Sequence, residues 1–171
     1  MPDYLIRDAH PDDAEAMLVH IRAINAEPNN GIIRGPGEEP TLEEERQILA
    51  GFAAADNAVM KIAVTPSGEV IGMAAFQGGK RRAVRHAGGI GISVSQAWRE
   101  QGVGTALMQQ LIAWARATGI IQRMELEVNV ENERALHVYR KLGFQIEGRK
   151  QAALYKEGRY LDNYVMALLF T

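Results

Sequence analysis

The chain has 171 residues, enough for one domain with a sizeable core, and its composition (47% hydrophobic, 23% charged, 17 glycines) is that of an ordinary globular protein. A formal net charge of −2 argues against the broad basic surface of a nucleic-acid binder, and the absence of cysteine excludes disulfides, thiolate nucleophiles and cysteine-based metal sites. No apolar run approaches the length of a membrane span and Met1 to Asp8 has no apolar leader segment, so the expectation is a soluble cytoplasmic protein without a membrane partner.

Tyr4 to Ala9 reads as a short strand, and Pro11-Asp12-Asp13 opens a helix running to about Asn25, with Ala16, Met17, His20, Ile21 and Ile24 at helical spacing. Residues 26 to 40 are rich in turn formers and make a long loop, a feature that is often functional in a compact domain. Thr41-Leu42-Glu43-Glu44 is a capping box, so a second helix starts there and fades near Ala54. Val59 to Thr65 and Val70 to Phe76 form a hairpin around Pro66-Ser67-Gly68-Glu69. Lys80-Arg81-Arg82 with Arg85 is a short basic run that reads as a solvated loop, and no nucleic-acid partner is expected from it. Ala87 to Val94 is a strand interrupted by Gly88, Gly89 and Gly91, a sign of a bulge or of another backbone or ligand coming close.

From Gly102 to Thr118 the pattern is helical, and Gly119 stops it. Arg123 to Val130 alternates, with Met124, Leu126 and Val128 on one face and Arg123, Glu125, Glu127 and Asn129 on the other. Asn132 caps a helix to Leu142, Gly143 ends it, and two long strands, Phe144 to Tyr155 and Tyr160 to Phe170, close the chain around Lys156 to Arg159. The order β-α-α-β-β-β-α-β-α-β-β, without repeat or linker, predicts a single α/β domain over residues 1–171, with helices on both faces of a mixed sheet. The histidines, His10, His20, His86 and His137, have no metal-ligand spacing, so no metal is expected.

Chemistry enters at Arg99-Glu100-Gln101-Gly102-Val103-Gly104-Thr105. Two glycines there sit between a strand and a helix start, where free N–H groups and a partial positive charge favour phosphates, and Arg99 adds a cation. A P-loop is absent, and Leu107 occupies the third glycine position of a dinucleotide fingerprint. Arg99-x-x-Gly102-x-Gly104 resembles the coenzyme A loop of the GCN5-related N-acetyltransferases (GNAT). The segment Leu126 to Phe144, with Asn132, Ala135, Tyr139, Lys141 and Gly143, is similar to the same family's downstream motif. The last two strands look most like the bacterial branch that acylates L-amino acids and phosphinothricin. The resemblance covers almost the whole chain. It implies the GNAT fold, a mostly antiparallel sheet of about seven strands with four helices on both faces, and acetyl-coenzyme A as cosubstrate.

The resemblance assigns cosubstrate contacts to Ile92, Ser93 and Val94 through their backbone, to Arg99 through Thr105, and to Asn132, Ala135 and Tyr139. Asn132 is equally explained as a helix cap, Ala135 by helix propensity and Tyr139 by core packing. In the family a tyrosine at position 139 protonates the departing thiolate. Glu127 is the candidate base for the acceptor amine, Glu125 is its rival, and the structural alternative is an ion pair. The long loop and last hairpin imply an acceptor site near Asn29 and Arg34, with Tyr164 as a wall; Asn30, Arg22, Tyr155, Tyr160, Met73 and Phe76 are further possibilities. The expected reaction is direct acetyl transfer to a small-molecule primary amine, an amino acid or analogue, by a homodimer paired through the final strands. Modification of a protein N-terminus or lysine, and a non-catalytic acetyl-coenzyme A sensor, are the alternatives.

Overall fold

The computed structural model describes residues 3–28 and 31–170. Its strands are β1 (Leu5–Asp8), β2 (Ala58–Val64), β3 (Val70–Gly78), β4 (Ala87–Val94), β5 (Arg123–Asn129), β6 (Gln145–Lys156) and β7 (Arg159–Leu169). Its α-helices are α1 (Ala14–Asn25), α2 (Leu42–Ala54), α3 (Val103–Thr118) and α4 (Glu133–Lys141). Pro11–Asp13, expected to begin α1, forms a separate 3-10 turn, because Asp13 folds back to accept from the His10 N–H at 2.7 Å and pairs with Arg7. The capping box at α2 forms as expected: Glu44 accepts from the Thr41 N–H at 2.7 Å, and Thr41 Oγ1 accepts from the Glu44 N–H at 3.2 Å.

The seven strands make one sheet in the order β1-β2-β3-β4-β5-β7-β6. All neighbours are antiparallel except β4 and β5. Alternation divides β2 between two cores. Val59 and Ala63 face α3 in a cluster that includes Leu107 and Leu111 and runs on to Leu136 and Tyr139 of α4, while Met60 and Ile62 face α1 and α2 in a cluster with Met17 and Leu49. Leu107 and Leu111 are fully buried, so truncating either to alanine costs about 2–5 kcal/mol. The first core extends across β5 and β7, whereas α1 and α2 cover only the β1–β3 side of the opposite face.

Parallel pairing of β4 with β5 stops after three residue pairs, Ala87↔Arg123, Gly88↔Met124 and Gly89↔Glu125. Gly88 permits this contact, since a Cβ there would lie 2.1 Å from the Gln77 carbonyl oxygen. Beyond Gly89 the two strands part, although β4 stays paired with β3 through Val94 and β5 with β7 through Asn129. A split therefore opens in mid-sheet, and beyond Gly89 the edge of β4 facing it has no strand partner among the described residues.

Candidate active site

A cavity of about 610 Å³ occupies the split, walled by Ile92, Ser93 and Val94 on one side and by Asn132, Ala135, Val138 and Tyr139 of α4 on the other. The first turn of α3 forms its floor, with Gly102, Val103, Gly104 and Thr105. The first intrahelical bond of α3 runs from the Ala106 N–H to the Gly102 carbonyl, so the N–H groups of Val103, Gly104 and Thr105 precede the ladder. No side chain caps them. Gly102 is left-handed at φ 83°, which sets the turn, and a side chain at 102 would project into open space. Gly104 meets only ordinary contacts, with Val94 Cγ2 at 3.6 Å. Bare donors and a helix dipole facing a cavity suit a pyrophosphate.

Arg99 does not reach into this space as a free cation. Its Nε donates to the Val94 carbonyl at 2.9 Å and its Nη2 pairs with Glu27 at 2.5 Å, tying the loop to the end of β4 and to the residues following α1. Glu100 lines the mouth and pairs with Arg134 at 2.8 Å, bridging the loop to α4. The Gln101 side chain instead donates to the Ala97 carbonyl at 2.8 Å and does not line the cavity. Asn132 caps α4, its Oδ1 accepting from the Ala135 N–H at 3.2 Å, and it also lines the cavity.

Tyr139 is buried, with its ring 6.0 Å from that of Phe144, and burial pushes its phenol up to about 12. The hydroxyl is therefore a protonated donor at neutral pH. Glu127 lies on the opposite face of the sheet, away from the cavity lining. Its carboxylate is paired with Lys150 and accepts from Asn163 Nδ2 at 3.3 Å, and these two donors hold it below the usual carboxylate range despite partial burial. Glu125 is paired with Arg123 at 2.9 Å.

The sequence-based acceptor residues do not converge. Asn29 and Asn30 lie outside the described residues. Arg34 lines a separate surface groove with Glu38, Glu39, Pro40, Glu44, Gln47 and Ile48. Tyr164 packs on the α3/α4 side under Arg149, because its even position on β7 points away from Glu127. Phe76 is fully buried, and the rings of Tyr155 and Tyr160 pack at a tilt against each other at the exposed hairpin tip.

One neighbour of the site was legible only as an apolar position of α1. His20 is 2% exposed and its ring nitrogens meet Ser93 Oγ at 2.9 Å and Ser95 Oγ at 3.1 Å. Burial, aided by the Arg99 charge, lowers it to about 4, so a neutral imidazole links α1 to the end of β4.

Fold and site together define an acetyl-coenzyme A-dependent N-acetyltransferase. The sequence profile of the Acetyltransferase (GNAT) family matches residues 21–144, and the chain belongs to that family. It is 31% identical over 169 residues to L-amino acid N-acetyltransferase AaaT of Escherichia coli K12, covering 98% of both chains. Over 136 residues it is 31% identical to the L-methionine sulfoximine/L-methionine sulfone acetyltransferase of Pseudomonas aeruginosa PAO1, covering 77% of this chain and 76% of the relative. The crystal structure of an acetyltransferase of the GNAT family from Streptococcus pneumoniae superimposes with a TM-score of 0.92 at 33% identity, over 98% of this chain and 99% of that one. Among the described residues no helix is long and apolar enough to cross a membrane.

Proposed function

We propose that the protein transfers the acetyl group of acetyl-coenzyme A directly to the α-amino group of a small amino acid or amino-acid analogue. The observation that carries this reading is the end-to-end match to an L-amino acid N-acetyltransferase, together with a split of the sheet whose two faces carry different chemistry. The pyrophosphate binds at the first turn of α3, and the extended arm of the cosubstrate runs along the free edge of β4 at Ile92 to Val94. The amine nitrogen attacks the thioester carbonyl carbon, a C–N bond forms and the C–S bond breaks. Tyr139 gives its phenolic proton to the departing thiolate, and the proton lost by the amine leaves on the opposite face towards Glu127 through water. Support for these roles is the protonated state of Tyr139 beside the cavity and the ionised state of Glu127 across the sheet. With no cysteine in the chain and the cavity reaching both walls of the split, no acyl-enzyme step is invoked.

The same reading puts the enzyme in the cytoplasm and pairs two copies through β6. Support for the pairing is that β6 is an edge strand whose first eight residues are exposed. Thiol release measured with acetyl-coenzyme A and a panel of free amino acids and N-terminally free peptides tests the activity, and light scattering tests the dimer. Turnover of one or more free amino acids well above the peptides is expected. Thiol release with peptides alone would overturn the assignment of the acceptor.

A further inference from the structure

Beyond Gly89 the end of β4 keeps β3 as its one strand neighbour among the described residues. Its backbone has a defined orientation. The Ser95 N–H donates to the Ile71 carbonyl of β3 at 2.8 Å, so the odd-numbered residues turn their backbone groups to β3, while Ile92 and Val94 turn theirs to the split. The bond from Arg99 Nε to the Val94 carbonyl at 2.9 Å agrees with this. Side chains alternate as well. Ile90, Ile92 and Val94 pack against the core under α3, so Ser93 and Ser95 point to the opposite face, that of α1.

There the two serines meet one ring. His20 of α1 is buried, its Nε2 2.9 Å from Ser93 Oγ and its Nδ1 3.1 Å from Ser95 Oγ. In a neutral imidazole one nitrogen donates and the other accepts, and a hydroxyl does either, so both contacts are hydrogen bonds in either tautomer. A single rigid plane thus ties two residues about 6.6 Å apart along the strand and brackets Val94. Arg99 holds Val94 by its carbonyl and is itself anchored to Glu27, just after α1. Ser93, Val94, Arg99 and Glu27 all line the cavity. Packing alone would be served by leucine, which has no polar nitrogens to satisfy. What histidine adds at position 20 is a link from α1 to the cavity wall, at the point where β4 has lost a strand neighbour.

We propose that His20 is a positioning residue for acetyl transfer: by tying Ser93 and Ser95 to α1 it holds the backbone N–H groups of Ile92 and Val94 in register with the thioester of the cosubstrate in the split. This rests on the functional reading above, and His20 acts through β4 without touching a reacting atom. A displacement of about 1 Å at a reacting centre costs about a hundredfold in rate. The pyrophosphate turn of α3 makes no contact with His20, so loss of the tie acts on turnover rather than on cosubstrate affinity.

Variants of the full chain test this by thiol release with an amine that the wild-type enzyme uses, at a temperature where each variant is folded. Calorimetric Kd for acetyl-coenzyme A and Tm are measured beside it. His20→Phe keeps a flat ring and deletes both nitrogens. Its kcat is expected to fall at least about tenfold while Kd for acetyl-coenzyme A stays within about threefold. Ser93→Ala, a milder change, is expected to lower kcat too. Ser93→Thr keeps a hydroxyl and favours a strand, and its kcat is expected to stay within about twofold of wild type. The double variant His20→Phe/Ser93→Ala is expected to turn over about as slowly as His20→Phe, because both changes break one link. A His20→Phe enzyme with lowered Tm and wild-type kcat would overturn the inference and leave the histidine a structural tie. So would single-variant losses of kcat that multiply in the double variant. Should His20→Phe not fold, the serine pair decides, and equal kcat in Ser93→Ala and Ser93→Thr would overturn the inference. Wild-type protein that binds acetyl-coenzyme A yet releases no thiol with any amine would overturn the functional reading, and this inference with it.

Discussion

Gly102→Glu tests the phosphate site with two opposing terms. At φ 83° an L-residue costs about 1–2 kcal/mol relative to glycine. A carboxylate beside the bare N–H groups of Val103, Gly104 and Thr105 returns about 0.3–1 kcal/mol through the helix dipole. The net loss is about 1 kcal/mol, a fall in Tm of about 2–4 °C for a chain of this size, so the variant folds. The same carboxylate occupies the space assigned to the pyrophosphate and repels it. Titration calorimetry with acetyl-coenzyme A should show affinity weakened at least about 100-fold, or about 2.7 kcal/mol. Gly102→Ala separates charge from backbone: it carries the strain without the dipole compensation, so its Tm should fall at least as far, while its Kd stays within about tenfold because its Cβ meets nothing within 4 Å. Wild-type affinity in Gly102→Glu, or equal losses in both variants, would refute the pyrophosphate assignment.

Tyr139→Phe removes a hydroxyl that has no hydrogen-bond partner among the described residues, so Tm should hold while kcat falls about 10²- to 10⁴-fold at constant acetyl-coenzyme A affinity; wild-type turnover would return the residue to a packing role. Because Lys150 and Asn163 hold Glu127 below the usual range, its titration lies below that of a free carboxylate, and a rise in rate between about pH 6 and 9 belongs to the amine's own deprotonation. Glu127→Gln should therefore lower kcat yet keep that rise, and a variant that loses it would show that Glu127 titrates there. His20, lowered to about 4, binds its proton more readily in the unfolded chain. Its stabilising contribution is thus full above about pH 6.5 and lost as pH falls towards 4, on the order of 3 kcal/mol in all. His20→Gln should flatten the Tm-against-pH curve over that window, and a parallel curve would refute the neutral-imidazole assignment.

Local rules read most of the fold from the chain. Capping at Thr41 and Asn132, the stops at Gly119 and Gly143, and the alternation of β5 each depend on neighbours in sequence, and each is where the sequence puts it. The glycine turn was legible for the same reason, since a bare helix N-terminus is a property of a few consecutive residues. Pairings between distant strands were not. Lys150 meets Glu127 because of how β6 registers on β7, and that register is shifted between Lys150 and Leu154, where Ala152 is left-handed at φ 51°. Alternation marked Glu127 as polar-facing, but the partner depends on a bulge that no local pattern announces. Arg34 and Tyr164 depend on long-range structure in the same way: the position of one follows the path of an irregular loop, the face of the other the register of β7 on β5. His20 shows the reverse, since spacing correctly turned it inward and said nothing of the two serines waiting there.

The three-pair seam between β4 and β5 also bears on how a long product leaves. The sheet resembles two leaves bound along a short spine at Ala87 to Gly89, with the free margins at Val94 and Asn129. At about 3.3 Å per residue, Val94 stands about 17 Å from that spine. A rotation of only about 5° at the spine widens the margin by about 1.5 Å, the scale of a loosened van der Waals contact, while every ladder bond within each leaf stays intact. Shedding coenzyme A then requires no strand to be peeled away, only a small flexing of a spine that already contains two adjacent glycines.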